Sequence, residues 1–197
     1  MGDALAAARA LAAGLDPAAA ASRVDAEWDD VALEFRLPCF GRVATITYPA
    51  CDVFLGEEAA PAHIAALIVY HLALSDGSLP TGTWISFADL PDGSFYVSAF
   101  RGYTGGPIIR RFSPGGSGLS HAAARLGGAA LPGLADRAWR IPALPRMPLA
   151  LLWWDADEEF DARVELLFDS TAPRNLNTEG CAILGSWLTS LLVSAID

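Results

Sequence analysis

The sequence contains no lysine, since all 13 of its basic residues are arginine. A Walker A phosphate-binding loop, a Schiff base with pyridoxal phosphate and an amine nucleophile each require a lysine side chain. The sequence therefore excludes P-loop nucleotide hydrolysis and lysine-dependent covalent catalysis.

Metal-ligating residues are also scarce. The three cysteines are widely spaced and form no Cys-x-x-Cys pair: Cys39, Cys51 and Cys181. They can build neither a disulfide framework nor a four-cysteine zinc or iron–sulfur site. His63 and His71 lie on one predicted helix about 12 Å apart by helical rise, which is too far to share one ion. His121 leaves a three-histidine site open, but core or capping roles are favoured, and we expect no metal site.

No apolar run is long and uniform enough to predict a membrane span. Residues 62–74 form a run shorter than the roughly 18 apolar residues that a span needs. Residues 181–196 carry their bulky side chains on one helical stripe and small or polar residues on the other side. Asp3 stands where an export signal needs positive charge, so we expect a cytoplasmic protein with reduced thiols and no membrane partner.

Acidic residues dominate the charge of the chain. The formal net charge is −10 and the pI is about 4.6, which disfavours a nucleic-acid partner. Residues 101–146 nevertheless hold seven arginines against a single acid, Asp136. We expect these arginines to pair with carboxylates elsewhere in the chain, and a site for an anionic ligand is the alternative.

Alternating apolar residues and turn residues predict several antiparallel strands. One hairpin is expected around residues 38–41, and a second at 83–100 around its Pro-Asp-Gly turn. Residues 107–112 are expected to add a strand to the second hairpin. Residues 147–154 and 162–169 are expected to pair with each other as antiparallel strands.

Helical patterns occupy the ends and the middle of the chain. Residues 1–24 predict an N-terminal helical segment, in which Asp16 caps a helix that begins at Pro17. Further helices are predicted at 61–74 and from about residue 177 to the C-terminus. Because hairpins outnumber parallel crossovers, residues 25–197 predict one α+β domain: a mainly antiparallel sheet with helices packed on one face.

Five carboxylates lie within the seven residues 155–161, next to two tryptophans. A calcium loop is excluded, because its sixth and twelfth positions are here Phe160 and Leu166 instead of glycine and glutamate. Glu158 and Glu159 are neighbours and would point to opposite faces of a strand, which disfavours a paired acid and base. A solvated turn is the favoured interpretation. We predict that Phe160 is buried and anchors this turn as an ordered loop.

A candidate binding surface follows from the aromatic and charged residues around these hairpins. Trp153 and Trp154 alternate faces of one strand, so one of them is expected outside the main core. Arg146 stands between prolines that fix its backbone, and we predict that it pairs with a carboxylate of 155–161 or with Asp169. The candidate ligand- or partner-binding residues are Trp84, Phe100, Arg101, Arg146, Trp154, Asp157, Glu158 and Glu159.

Two stretches resemble a known family. They are Leu144-Pro145-Arg146-x-Pro148-Leu149 and the Trp154-x-x-Asp157-Glu158-Glu159-Phe160 segment that continues into Leu167-Phe168-Asp169. With the stretch 79–102, they resemble the bacterial and archaeal family catalogued as domain of unknown function 3786, over most of residues 25–192. The resemblance implies no established activity. Some members are joined to an iron–sulfur segment like that of corrinoid proteins, and this chain has no such segment.

Three functional hypotheses remain open at this point. The first is a non-enzymatic binding or accessory module for a small molecule, for which the resemblance implies a corrinoid- or tetrapyrrole-like cofactor. The second is a metal-independent enzyme with Glu158 or Glu159 as general base and Arg146 as anion clamp. The third is an interaction subunit whose acidic segment contacts a basic protein partner.

Overall fold

The computed structural model describes residues 4–194 of the chain. Its secondary structure comprises α1 (Ala4–Ala12), α2 (Pro17–Val24), β1 (Glu27–Asp29), β2 (Glu34–Cys39), β3 (Arg42–Thr47), β4 (Val53–Leu55), β5 (Glu58–Ala59), α3 (Ala62–Leu74), β6 (Trp84–Ser86), α4 (Val97–Phe112), α5 (Leu119–Arg125), β7 (Ala129–Ala130), β8 (Arg137–Leu144), β9 (Met147–Trp154), β10 (Arg163–Asp169), α6 (Ala172–Asn175) and α7 (Thr178–Ser194). Two short 3-10 turns, Phe87–Asp89 and Gly93–Phe95, connect β6 to α4.

The strands form two antiparallel sheets, which confirms the α+β class. The first sheet has the order β1-β2-β3-β4-β5, and the second has the order β6-β10-β9-β8-β7. The predicted hairpin around residues 38–41 is the β2–β3 pair, with Cys39 opposite Arg42. The predicted pairing of the two late strands is the β9–β10 pair, with Leu151 opposite Leu166.

Helix α3 lies at the centre of the main core because nearly all of its side chains are apolar. Leu67, Ile68 and Val69 are fully buried in three successive positions, so the helix has no solvated face over this stretch. Helices α1, α2 and α7 all pack against α3. The buried alanines of α1 and α2 belong to the same continuous core as the two sheets.

The second sheet has helices on one face only. On β9, Leu149, Leu151 and Trp153 point into the main core beneath α4, α5 and α7. The alternate residues Ala150 and Leu152 point to the opposite face, in accordance with the two-residue period of a strand. Side chains instead of a helix cover this second face: Trp84, Leu131, Ala135, Trp154 and Leu167.

The structure corrects the prediction for residues 83–112. Only Trp84–Ser86 is a strand there, and residues 97–112 form helix α4 instead of a hairpin arm and a further strand. Gly102, Gly105, Gly106 and Pro107 lower the helix propensity of this segment and mimic turn signals. Packing of α4 against β10 and α7 outweighs this local preference.

Glycine at position 105 permits this packing. A Cβ atom there would lie 2.9 Å from the carbonyl oxygen of Val164, so α4 can approach the backbone of β10 only without a side chain. The helix covers the part of β10 that β6 leaves unpaired, since β6 pairs only with residues 167–169. Gly105, which resembles a turn signal in the sequence, therefore allows α4 to cover an open strand edge.

No helix within residues 4–194 combines the length and the apolar character that crossing a bilayer requires.

Candidate functional site

The candidate site is a surface groove of about 770 Å³ between the 3-10 turns, the first half of α4 and the start of α7. Its apolar walls come from three separate parts of the chain. These lining residues are Phe87, Pro91, Tyr96, Ala99, Tyr103, Pro173, Leu176 and Ala182. Four polar residues complete the rim: Asp92, Asn177, Thr178 and Glu179.

Helices α4 and α7 build the groove because they pack closely at one end and leave a gap at the other. Gly185 lies against the ring of Phe100, where an added Cβ atom would come within 2.8 Å of the ring. Further along, the Thr189 hydroxyl donates a hydrogen bond to the carbonyl of Thr104 at 3.4 Å. The contacts follow the same order in both helices, so the helices run in parallel, and their N-terminal ends both lie at the groove.

The ring of Phe87 forms the floor of the groove and rests on a second, buried aromatic ring. Phe87 lines the groove, and its ring stacks on that of Phe100 at a centroid distance of 4.2 Å and an angle of 8°. Phe100 in turn contacts Gly185 and the ring of Phe168. The floor is therefore connected through Phe100 to the packing of α4, α7 and the second sheet.

The turn Pro91–Gly93 closes one end of the groove. The Thr178 hydroxyl donates a hydrogen bond to the carbonyl of Pro91 at 2.6 Å, which ties the start of α7 to this turn. Asp92 has a φ of 59°, a left-handed conformation that aspartate tolerates better than most residues. A Cβ atom at Gly93 would lie 1.9 Å from the carbonyl oxygen of Phe87, so the turn requires glycine there.

The groove carries negative charge without a matching positive charge. Within the described part of the chain, the carboxylates of Asp92 and Glu179 form no hydrogen bond or ion pair with another side chain, and no arginine lines the groove. Partial burial raises the pKa of Tyr103 above its ordinary value of 10.0, so its phenol is neutral and can donate a hydrogen bond. The arrangement suits a ligand with an apolar body and a cationic group.

The residues predicted from the sequence lie mostly outside this groove. Phe100 is buried behind Phe87 and does not line the groove. Arg101 forms an ion pair with Glu165 at 2.9 Å, on the side of α4 that faces β10. Trp84 and Trp154 lie on the far face of the second sheet, where Arg163 stacks over the Trp154 ring at 3.7 Å. Trp153 is fully buried, so one tryptophan of the pair does lie outside the main core, as predicted.

The prediction that Arg146 pairs with a carboxylate is wrong. Its guanidinium donates to the backbone carbonyls of Gly77 and Ser22, and among the described residues it contacts no carboxylate. Arg146 itself has a φ of 62°, at the tight turn between β8 and β9. This turn is separated from residues 155–161 by the length of β9, about 23 Å at the rise of a strand. Arg146 therefore joins the α2 and α3 ends to the sheet.

The prediction that Phe160 is buried is also wrong, because 69% of its surface is exposed. Asp155 fixes the start of the loop instead, since it accepts hydrogen bonds from Arg137 and from the indole of Trp153. Asp157 then accepts from the backbone N–H groups of Glu159 and Phe160 at 2.8 and 2.7 Å. The hydrogen bonds accepted by Asp155 and Asp157 thus hold the loop in place, and no apolar anchor is needed.

Glu158 and Glu159 are exposed at the tip of this loop. A neighbouring cleft of about 890 Å³ is lined by Arg137, Asp155 and Asp161. There the charges of Arg137 and Asp155 already satisfy each other as an ion pair. The groove at α4 and α7 is the stronger candidate because its charged groups are left for a ligand.

A buried polar cluster on the other side of the core has a structural role. His71 is fully buried, and its Nδ1 lies 3.1 Å from the carbonyl of Asn175. The Ser75 hydroxyl donates to the Asn175 side chain at 2.6 Å. Burial lowers the pKa of His71 to about 4, and the charge of Arg146 acts in the same direction. Among the cavities lined by the described residues, none opens onto this cluster.

The sequence pattern indicates one wall of the groove only if residues 96–103 are interpreted as a helix. Tyr96, Ala99 and Tyr103 follow the i, i+3, i+7 spacing of one helical face. Interpreted as a strand, the same segment puts Tyr96 on the face opposite to Ala99 and Tyr103. Asp92 and Glu179 lie 87 positions apart, and no local pattern connects them.

Among residues 4–194, no group of three histidine, cysteine, aspartate or glutamate side chains has a geometry that could hold a metal ion.

Residues 16–190 match the family described as domain of unknown function (DUF3786), and the chain belongs to this family. The match covers both sheets, the groove and the buried cluster around His71. No curated protein and no solved structure shows significant similarity to the chain.

Proposed function

We propose that this protein is a binding module, not an enzyme, and that the groove between α4 and α7 is its ligand site. The observation that carries the proposal is the combination of apolar walls with two unpaired carboxylates, Asp92 and Glu179. The ligand would place an apolar group between Tyr96, Tyr103 and Ala182. Its cationic group would lie at the carboxylates.

The size and chemistry of the groove support this proposal. Its volume of about 770 Å³ falls within the range of known ligand sites. Tyr96 and Tyr103 present large rigid surfaces that lose little conformational entropy on binding. Thr178 and Asn177 are already engaged with Pro91 and Gly180, so they hold the groove in shape before a ligand arrives.

A corrinoid or tetrapyrrole does not fit this donor set. Within residues 4–194, the groove is lined by no histidine, cysteine or methionine that could ligate the central metal. No arginine among the described residues lines the groove to pair with propionate groups, and Asp92 and Glu179 would repel them. Our proposal therefore places a cationic organic group in the groove instead of such a cofactor.

The enzyme hypothesis with Glu158 or Glu159 and Arg146 has weaker support. Arg146 is occupied by two backbone carbonyls at one end of β9. The two glutamates lie beyond the other end of that strand, exposed to solvent. A general base and an anion clamp must both reach one substrate, and this separation does not provide that.

The test is a pair of ligands with the same apolar body and opposite charges. Isotope-labelled full-length protein is titrated with 4-phenylbutylamine and with 4-phenylbutyrate, and backbone amide shifts are followed by NMR. We expect the amine to shift the signals of Ala99, Tyr103, Glu179 and Ala182. Two rim carboxylates should favour the amine over the acid by about five- to tenfold.

The matched control is the double variant Asp92→Asn/Glu179→Gln. It keeps the shape of the groove and removes its charge, so the preference for the amine should fall to about twofold or less. A carboxylate in the first turn also stabilises a helix, so the stability of the variant is measured alongside. Equal affinity of wild-type protein for both ligands, or shifts confined to other surfaces, contradicts the proposal.

A further inference from the structure

Resting on the proposed function, we infer that the natural occupant of the groove is a short segment of a partner protein. This segment presents one large apolar side chain next to an arginine or lysine. The apolar side chain fills the space between α4 and α7, and the basic residue contacts Asp92 or Glu179.

The exposure of the groove walls favours a protein partner over a small metabolite. Sites for small molecules bury most of the ligand surface. Here Tyr96 is 64% exposed and Tyr103 is 42% exposed. Such aromatic side chains on an open surface are typical of the energetically dominant residues of protein interfaces.

The apolar surface also continues beyond the groove. Phe95 lies between Asp92 and Tyr96, which both line the groove, and it is 80% exposed. Together with Tyr96 it forms a pair of exposed aromatic residues on the rim. A small ligand confined to the groove leaves Phe95 in water, whereas a peptide chain that leaves the groove covers it.

The length of the groove limits what can enter. Tyr96 and Tyr103 mark its extent along α4, about 10 Å at 1.5 Å per residue. An extended peptide advances about 3.3 Å per residue, so about three residues fit. The groove is too short for the long apolar face of an amphipathic helix, and it suits a single anchor with its neighbours.

Charge determines the composition of the segment. The part of the chain that the structure describes gives the groove two carboxylates and no arginine, and the full sequence carries a net charge of −10. A basic residue beside the anchor is attracted by both the local and the overall charge. An acidic or neutral segment with the same anchor lacks this contribution.

A random 12-residue peptide library displayed on phage tests the inference against the full-length protein. We expect the enriched peptides to share an aromatic or branched apolar residue within two positions of an arginine or lysine. The enriched sequences are then synthesised, and their dissociation constants are measured by calorimetry. Asp92→Asn/Glu179→Gln should weaken binding about tenfold, with a smaller loss at high salt.

Two variants of α4 locate the binding. Ala99→Leu adds apolar bulk inside the groove, and Ser98→Leu adds the same side chain one position earlier, outside it. Both positions are exposed, and leucine is a good helix former, so both variants should fold. Circular dichroism checks this. Ala99→Leu should raise the dissociation constants of the peptides by at least about tenfold, whereas Ser98→Leu should leave them within about twofold of the wild-type values.

The outcomes separate the inference from the proposed function. Absence of enriched peptides, or equal binding by Ala99→Leu and wild-type protein, overturns the inference. If 4-phenylbutylamine still binds the groove in that case, the ligand is a small cationic molecule and the proposed function stands. If neither the amine nor any peptide binds there, the proposed function fails as well.

Discussion

Buried, neutral His71 should make the protein less stable as the pH falls from about 7 to 4. Burial holds the pKa of His71 at about 4 in the folded state, against an ordinary value of 6.5 in the unfolded chain. Between these two values the unfolded chain binds a proton that the folded protein does not. Acid therefore favours unfolding in this window, and the effect of His71 is complete below pH 4.

The magnitude follows from the two pKa values. A fall in pKa from 6.5 to about 4 corresponds to a loss of about 3 kcal/mol in the free energy of unfolding across the window. His71→Gln removes the titrating group and is itself destabilising, because a fitted buried side chain is replaced. Between pH 7 and 4, the free energy of unfolding of His71→Gln should nevertheless fall by about 3 kcal/mol less than that of the wild-type protein.

The assay is urea unfolding, monitored by tryptophan fluorescence at half-unit steps of pH, for wild-type protein and His71→Gln. His63→Gln and His121→Gln are matched controls, because both histidines are exposed. The controls should follow the wild-type pH profile. Parallel profiles for wild type and His71→Gln from pH 7 to 4 would instead show that burial does not suppress protonation of His71.

Two further predictions concern packing. Gly185→Ala brings a Cβ atom within 2.8 Å of the Phe100 ring and should destabilise the protein by about 1–3 kcal/mol. The control Gly102→Ala meets nothing within 4 Å and should stabilise α4 by about 0.5–1 kcal/mol. Thermal unfolding measures both variants, and equal effects contradict the α4–α7 contact. Phe160→Ala should change stability by less than about 0.5 kcal/mol, while Asp155→Asn should loosen residues 155–161 in hydrogen exchange. Protection of this loop that depends on Phe160 contradicts the assignment of Asp155 as its anchor.

Several elements could be predicted because their signals are local. The Pro-Cys-Phe-Gly turn identifies the β2–β3 hairpin, and Asp16 followed by Pro17 identifies the start of α2, where the carboxylate accepts from the Ala19 N–H at 2.9 Å. The long apolar runs on both sides of residues 155–161 identify β9 and β10. In each case the turn or cap chemistry and the pattern of apolar residues agree.

Helix α4 could not be predicted because its local and tertiary preferences disagree. The Gly105-Gly106-Pro107 sequence is typical of a turn, and nothing nearby in the chain indicates that Gly105 must contact Val164. The same limit applies to the site. The groove forms only when α4 lies beside α7, and its two carboxylates come from segments that are distant in sequence.

The errors at Arg146 and Phe160 share one physical cause. Both predictions assigned the strongest partner by residue type: a carboxylate for the guanidinium and the core for the aromatic ring. Backbone groups instead satisfy Arg146, through the carbonyls of Gly77 and Ser22. Backbone N–H groups likewise hold the loop at Asp157, without Phe160. The Arg146 contacts join segments that are distant in sequence, whereas the Asp157 contacts are local, and in both cases ranking partners by residue type overlooks the backbone groups.

The anomalous diffraction of bromine tests the central claim most directly. Crystals of the full-length protein are soaked with 4-bromophenethylamine, and the bromine is located from its anomalous signal. We expect a bromine peak between Tyr96, Tyr103 and Ala182, with the amine directed towards Asp92 or Glu179. A bromine peak at another surface, or a peak in the groove with the amine turned away from both carboxylates, would contradict it.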